Sequence, residues 1–173
     1  MSNQLPVGQR YPVFLATAFD KTAPVSDAMT VLETNPSMLV LHPLFNWAAP
    51  KRGKEVLDFF GESLASLPSS LNRWAQMIER DYWSISKSSV LVYDVDRSPG
   101  EQFLAVAVIY RKPIILVSKD FAALPFAHFS GFVRVAVKPE DLVAAVQMVA
   151  EPMVSALHTK IESAGDYSSP AEL

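Results

Sequence analysis

The sequence predicts an α/β fold, a single-domain flavodoxin/Rossmann-like sandwich with a mostly parallel five-stranded sheet flanked by helices. Three observations predict it. Short apolar and β-branched runs alternate with helical patterns along the chain, the signature of strands joined by crossover helices. One of those runs, Val90–Val95 (VLVYDV), is almost continuously apolar, as a strand covered on both faces must be. The length of 173 residues, 50% apolar and 19% charged, suffices for one hydrophobic core and not for two.

Each element has its own signal. Tyr11–Thr17 (YPVFLAT) reads as the first strand, followed by a turn-rich stretch to Pro24 and a helical pattern through Leu32. Asn35-Pro36-Ser37 breaks that helix, and Met38–Leu41 is a second strand that stops at His42-Pro43. Leu44–Lys54 is loop-like, and helical patterns cover Glu55–Leu67 and Leu71–Ile85 on either side of Pro68. After the third strand at Val90–Val95, Ser98-Pro99-Gly100-Glu101 has the form of a capped helix start: serine as N-cap, proline at the first helical position and glutamate completing a capping box. That helix runs to Tyr110. Ile114–Ser118 and Phe132–Val137 read as strands four and five. Pro139 opens a last amphipathic helix that turns Leu142, Val146, Val149 and Val154 inward. Residues 1–162 form the expected domain and 163–173 a flexible tail.

Composition narrows the function. A formal net charge of −3 supplies no basic field for DNA or RNA. The absence of cysteine removes disulfides, thiolate chemistry and zinc–sulfur sites, and the three histidines, at His42, His128 and His158, lack metal-ligand spacing, so no metal and no cofactor are expected. No apolar stretch reaches the roughly 20 residues that span a bilayer. Met1–Arg10 lacks the pattern of a signal peptide, and the expectation is a cytoplasmic protein with no membrane partner. Neither GxxxxGK[ST], GxGxxG nor GxSxG occurs, which argues against nucleoside triphosphatase, dinucleotide-binding and acyl-hydrolase chemistry.

In parallel sheets of this kind ligands bind at the carboxyl ends of the strands. That places Ala18–Lys21, His42–Trp47 and Asp94–Glu101 around one site. In the third of these loops Asp94, Asp96, Ser98 and Glu101 crowd a strand end and the first turn of a helix, where free N–H groups favour an anion such as a sugar phosphate. Ser98 is either a hydroxyl donor to that anion or simply the backbone cap of its helix. Asp81, in Arg80-Asp81-Tyr82-Trp83, is badly placed for the helix dipole. It either faces the cleft as a proton-handling carboxylate or pairs with Lys87 or Arg80. His42 ends strand two, and Phe45 and Trp47 either wall the cleft or pack the loop onto the domain. Phe14, Phe19, Tyr82, Trp83, Phe103 and Tyr110 have the character of core or subunit-contact aromatics.

Taken together, YPVFLATAF, VLETNPSMLVLHP, WAQMIERDYWSISKSSVLVYDVD and SPGEQFLAVAVIYRKPIILV, in that order and spacing over Tyr11–Leu142, resemble the nucleoside 2-deoxyribosyltransferase superfamily, including its nucleotide N-hydrolase branch. The resemblance implies cleavage of the bond between a base and a deoxyribose through a helix-borne glutamate that attacks the anomeric carbon, followed by transfer to another base or to water. It assigns Asp81 as the helix aspartate near the base and Asp94 or Asp96 as the acidic residue after strand three. Ser98 becomes the phosphate-contacting serine, and Phe19, His42 and Gly100 fall among the substrate-binding positions. Counting back from Lys112-Pro113, however, the family glutamate falls on Phe103, or on Leu104 if the loop is aligned at Ser98. Glu101 is the nearby carboxylate. It lies about 200° around the helix from Phe103, so it could act only as a displaced nucleophile or general base. The alternative is a nucleotide-binding sensor, sponge or interaction module without catalysis. Family sites borrow residues from a neighbouring subunit, which implies a homo-oligomer, and Phe126, Phe129 and Phe132 offer apolar surface for one.

Overall fold

The structure is a computed structural model that describes residues 10–18, 22–43, 50–69, 71–120 and 131–151. Five strands, β1 (Tyr11–Ala16), β2 (Met38–Leu41), β3 (Val90–Asp94), β4 (Ile114–Val117) and β5 (Val133–Val137), form one sheet in the order β2-β1-β3-β4-β5. Every pairing is parallel. The helices are α1 (Asp27–Glu33), α2 (Pro50–Phe60), α3 (Arg73–Lys87), α4 (Gln102–Ile109) and α5 (residues 142–151), the last entered through a short 3₁₀ turn at Pro139–Asp141.

Strand alternation divides the core into two layers. Val13 and Leu15 of β1, with Val40, Val90, Val92, Ile115 and Val117, pack under α1 and α5. Phe14 and Ala16, with Leu39, Leu41, Leu91, Tyr93, Ile114 and Leu116, pack under α2, α3 and α4. Two-sided burial explains the apolar run of β3, in which every residue is buried. Among the described residues no helix is long and apolar enough to cross a membrane.

Helix ends depart from the sequence expectation where local hydrogen bonding wins. The pattern over Glu55–Leu67 is cut at Gly61, which takes φ +64°. Glu62 N–H donates to Leu57 O and Gly61 N–H to Asp58 O, the paired bonds of a glycine C-cap. Only a 3₁₀ turn, Leu64–Ser66, follows. The helix expected from Ser98–Pro99 starts later, at Gln102. The Asp94 carboxylate instead caps a 3₁₀ turn at Val95–Arg97, and Gly100, at φ +109°, breaks any helical path through Pro99. Glu101 caps the helix by position without a side-chain hydrogen bond, so the expected Ser98–Glu101 capping box does not form.

Candidate functional site

The strand order reverses between β1 and β3, because β1 leads outward to β2 while β3 leads the other way to β4 and β5. Their carboxyl ends therefore splay into the crevice where open α/β sheets take ligands. Two buried residues close its floor: Thr17 Oγ1 donates to Asp94 Oδ2 at 3.0 Å. The Arg97 N–H donates to Asp94 Oδ1 at 3.2 Å, and Ala18 N–H donates to Arg97 O at 2.7 Å, so the loops after β1 and β3 are tied to one another. Burial pushes the Asp94 carboxyl above its ordinary range, against the donors Thr17, Ser26 and Arg97 N–H that favour its charge.

Asp96 ties the same loop to β4. It accepts from the Ser118 hydroxyl at 2.6 Å and from the Lys119 N–H at 2.8 Å. Beside these ties, on the α1 side of the sheet, lies a cavity of about 440 Å³ lined by residues that include Ser26, Asp27, Asp94, Asp96, Arg97 and Lys119. Pro24, Val25, Ala28, Val117 and Pro139 supply its apolar wall. The volume is that of a small-molecule site. Lys119 Nζ pairs with Asp27 Oδ2 at 2.6 Å across this cavity, and that hydrogen bond raises the ammonium's pKa. No group of three or more His, Asp or Glu able to hold a metal ion occurs among the described residues.

The expected site residues divide between the two layers. Asp94 and Asp96 line the cavity, whereas Asp81, Ser98, Gly100, Glu101 and His42 do not. Ser98 Oγ shares a hydrogen bond with the Tyr93 hydroxyl, whose ring lies in the core beneath α2–α4. Glu101 is exposed at the start of α4. Asp81 sits midway along α3 and half-buried, with no hydrogen bond or ion pair among the described residues. Neither expected pairing forms, because Lys87 bonds Glu62 and the Arg80 Nε–H donates to Pro68 O. With no partner to favour the charge, burial pushes the Asp81 carboxyl up to about 7. His42 lies 3.9 Å from Glu33 Oε1, on the α1 side of β2. Phe19, Phe45, Trp47, Phe126 and Phe129 lie outside the described residues.

At Phe103 and Leu104, where the resemblance alone calls for a glutamate, the chain is apolar and buried. Leu104 is inaccessible, and Phe103 packs its ring 5.7 Å from that of Phe14. Both belong to the core beneath α4. Sequence reasoning missed Thr17, Ser26, Arg97, Ser118 and Lys119 as cavity or rim residues. Their signal was positional: Thr17 and Ser118 each follow directly on a strand, where a polar residue after an apolar run marks the carboxyl rim. No family model matches the chain, and no curated protein matches it as a relative.

Proposed function

We propose that this chain binds a nucleoside or nucleotide at the carboxyl rim of its sheet without cleaving it by carboxylate attack from α4. The observation that carries the reading is the burial of Phe103 and Leu104 in the core, where the resemblance calls for a nucleophile. A phenyl or isobutyl group cannot form a sugar ester, and Glu101, exposed and about 200° away around the helix, does not replace it in place. What remains is a rim cross-tied by Asp94 and Asp96 beside a cavity of about 440 Å³, an arrangement suited to holding a ligand rather than breaking one.

The test pairs thermal unfolding with chromatography. The four 2′-deoxynucleosides and their 5′-monophosphates are added singly; at least one raises Tm by mass action, and no free base accumulates over long incubation. Failure of every member to shift Tm overturns the reading.

One observation favours a second reading, N-glycosidic bond cleavage or 2′-deoxyribosyl transfer. Asp81, with its carboxyl raised to about 7, would carry a transferable proton near neutrality, as an acid assisting a departing base must. In that reading Glu101 is the displaced nucleophile or general base and Asp96 the acidic residue after strand three. Free base would appear, and both Asp81→Asn and Glu101→Gln would stop its release. A cytoplasmic homo-oligomer belongs to either reading. Exposed Leu71, Trp74, Met77 and Ile78, at the start of α3 and just before it, support self-association.

A further inference from the structure

We propose that Arg97 and Lys119 form a phosphate-binding handle in the cavity beside α1, with Asp27 as an internal counterion that the incoming phosphate displaces from Lys119. This rests on the nucleotide reading above for its ligand and goes beyond it in placing the phosphate on the opposite side of the sheet from Ser98 and α4.

Ser98 is the weaker candidate once its surroundings are known. Its hydroxyl shares a hydrogen bond with the Tyr93 hydroxyl, and the helix start expected beside it has moved to Gln102. Around the cavity, by contrast, each carboxylate is already satisfied. Asp27 pairs with Lys119, Asp94 accepts from Thr17 and the Arg97 N–H, and Asp96 accepts from Ser118 and the Lys119 N–H. The Arg97 backbone is fully used, N–H to Asp94 and carbonyl to Ala18. Arg97 is one of the residues lining the cavity, its charge is felt at Lys119, and its guanidinium has no hydrogen bond or ion pair among the described residues. A guanidinium is an inflexible fork of donors matched to phosphate oxygens, and leaving it unpaired in a cavity forgoes its strongest interaction. Lys119 is close enough that repulsion from Arg97 works against its protonation, although Asp27 outweighs that repulsion. Arg97 and Lys119 supply two cations to a phosphate group, while Asp27, Asp94 and Asp96 share the lining and repel it, and the apolar wall of Pro24, Val25 and Val117 borders the same cavity.

The experiment is calorimetric titration of the full chain with inorganic phosphate, acetate, the 2′-deoxynucleosides and their 5′-monophosphates. Arg97→Gln keeps both backbone bonds and so keeps the fold. It should weaken phosphate and monophosphate binding about tenfold while leaving nucleoside affinity unchanged. Arg97→Lys, which retains charge without the fork, should fall between wild type and Arg97→Gln. Asp27→Asn, which frees Lys119, should tighten phosphate about threefold. Equal phosphate affinity in wild type and Arg97→Gln overturns the proposal, as do acetate binding as well as phosphate and no phosphate binding at millimolar concentration. Arg97-dependent phosphate binding with no nucleoside binding would uphold the handle while removing the nucleoside part of the functional reading.

Discussion

Asp81 and Asp94 are both carboxyls that burial raises, yet the structure treats them differently. Asp94 is held by Thr17 and by a backbone N–H, so its burial serves to lock two loops together. Asp81 has no such compensation, and burial raises its carboxyl to about 7. The folded protein therefore holds the Asp81 proton more tightly than the unfolded chain, whose aspartates titrate near 3.8. That side chain favours the fold fully below about pH 4, and its contribution disappears as the pH climbs to about 7. Asp81→Asn should flatten this decline. Denaturant titrations from pH 4 to 8 should show the variant more stable than wild type at pH 8 by roughly 2 kcal/mol, discounted for the solvent that still reaches the side chain. At pH 4 the two should agree. The sequence singled out Asp81 by a helix-dipole argument that fails, because α3 runs on to Lys87 and leaves this residue mid-helix. It could not reveal the missing partner, because Lys87 and Arg80 find theirs in Glu62 and Pro68, 25 and 12 residues away along the chain.

At the level of elements, the two ends of α4 show how local bonding overrides a pattern. At its start, Gly100 and the Asp94-capped turn displace the helix by about one turn from the Ser98–Pro99 signal, leaving Glu101 outside the first turn. At its end, Lys112 N–H donates to Ala107 O and Arg111 N–H to Val108 O, the same paired C-cap that Gly61 makes for α2. Here the left-handed position is filled by Arg111, at φ 54°, where a side chain costs about 1 kcal/mol relative to glycine. Arg111→Gly should raise stability by about 0.5–1 kcal/mol, measured as a higher urea midpoint with an unchanged slope. A fall in midpoint would mean that the arginine side chain contributes more than its backbone strain costs.

Across the molecule, α3 is longer than the sheet it covers. Fifteen residues extend ~22 Å, against ~17 Å for the five residues of β3. One face of α3 buries Ser84 and Ile85 and half-buries Asp81, and the same face continues as Trp74, Met77 and Ile78, which are exposed. A stripe of this kind on a monomer is unusual unless something covers it. If a second copy does, light scattering should give a multiple of 19.1 kDa, and Trp74→Asp should return the monomer mass without lowering the urea midpoint.

The parallel α/β architecture is legible in the pattern of apolar runs along the chain. Strand segments covered on both faces are largely apolar, so Met38–Leu41 is legible to the residue, and the strand expected over Val90–Val95 is found at Val90–Asp94. The sequence also located Asp94 and Asp96 at the rim, since residues that follow a buried strand emerge at its carboxyl end. Which of the candidate groups share a cavity depends on contacts between segments distant in the chain. Asp94, Asp96, Arg97 and Lys119 meet because β3 and β4 are neighbours in the sheet, while Ser98, one residue beyond Arg97, turns to Tyr93 in the opposite layer. Adjacent residues on an irregular turn can face either layer of a sandwich. The pairing of strands far apart in the chain then decides which neighbours they find there.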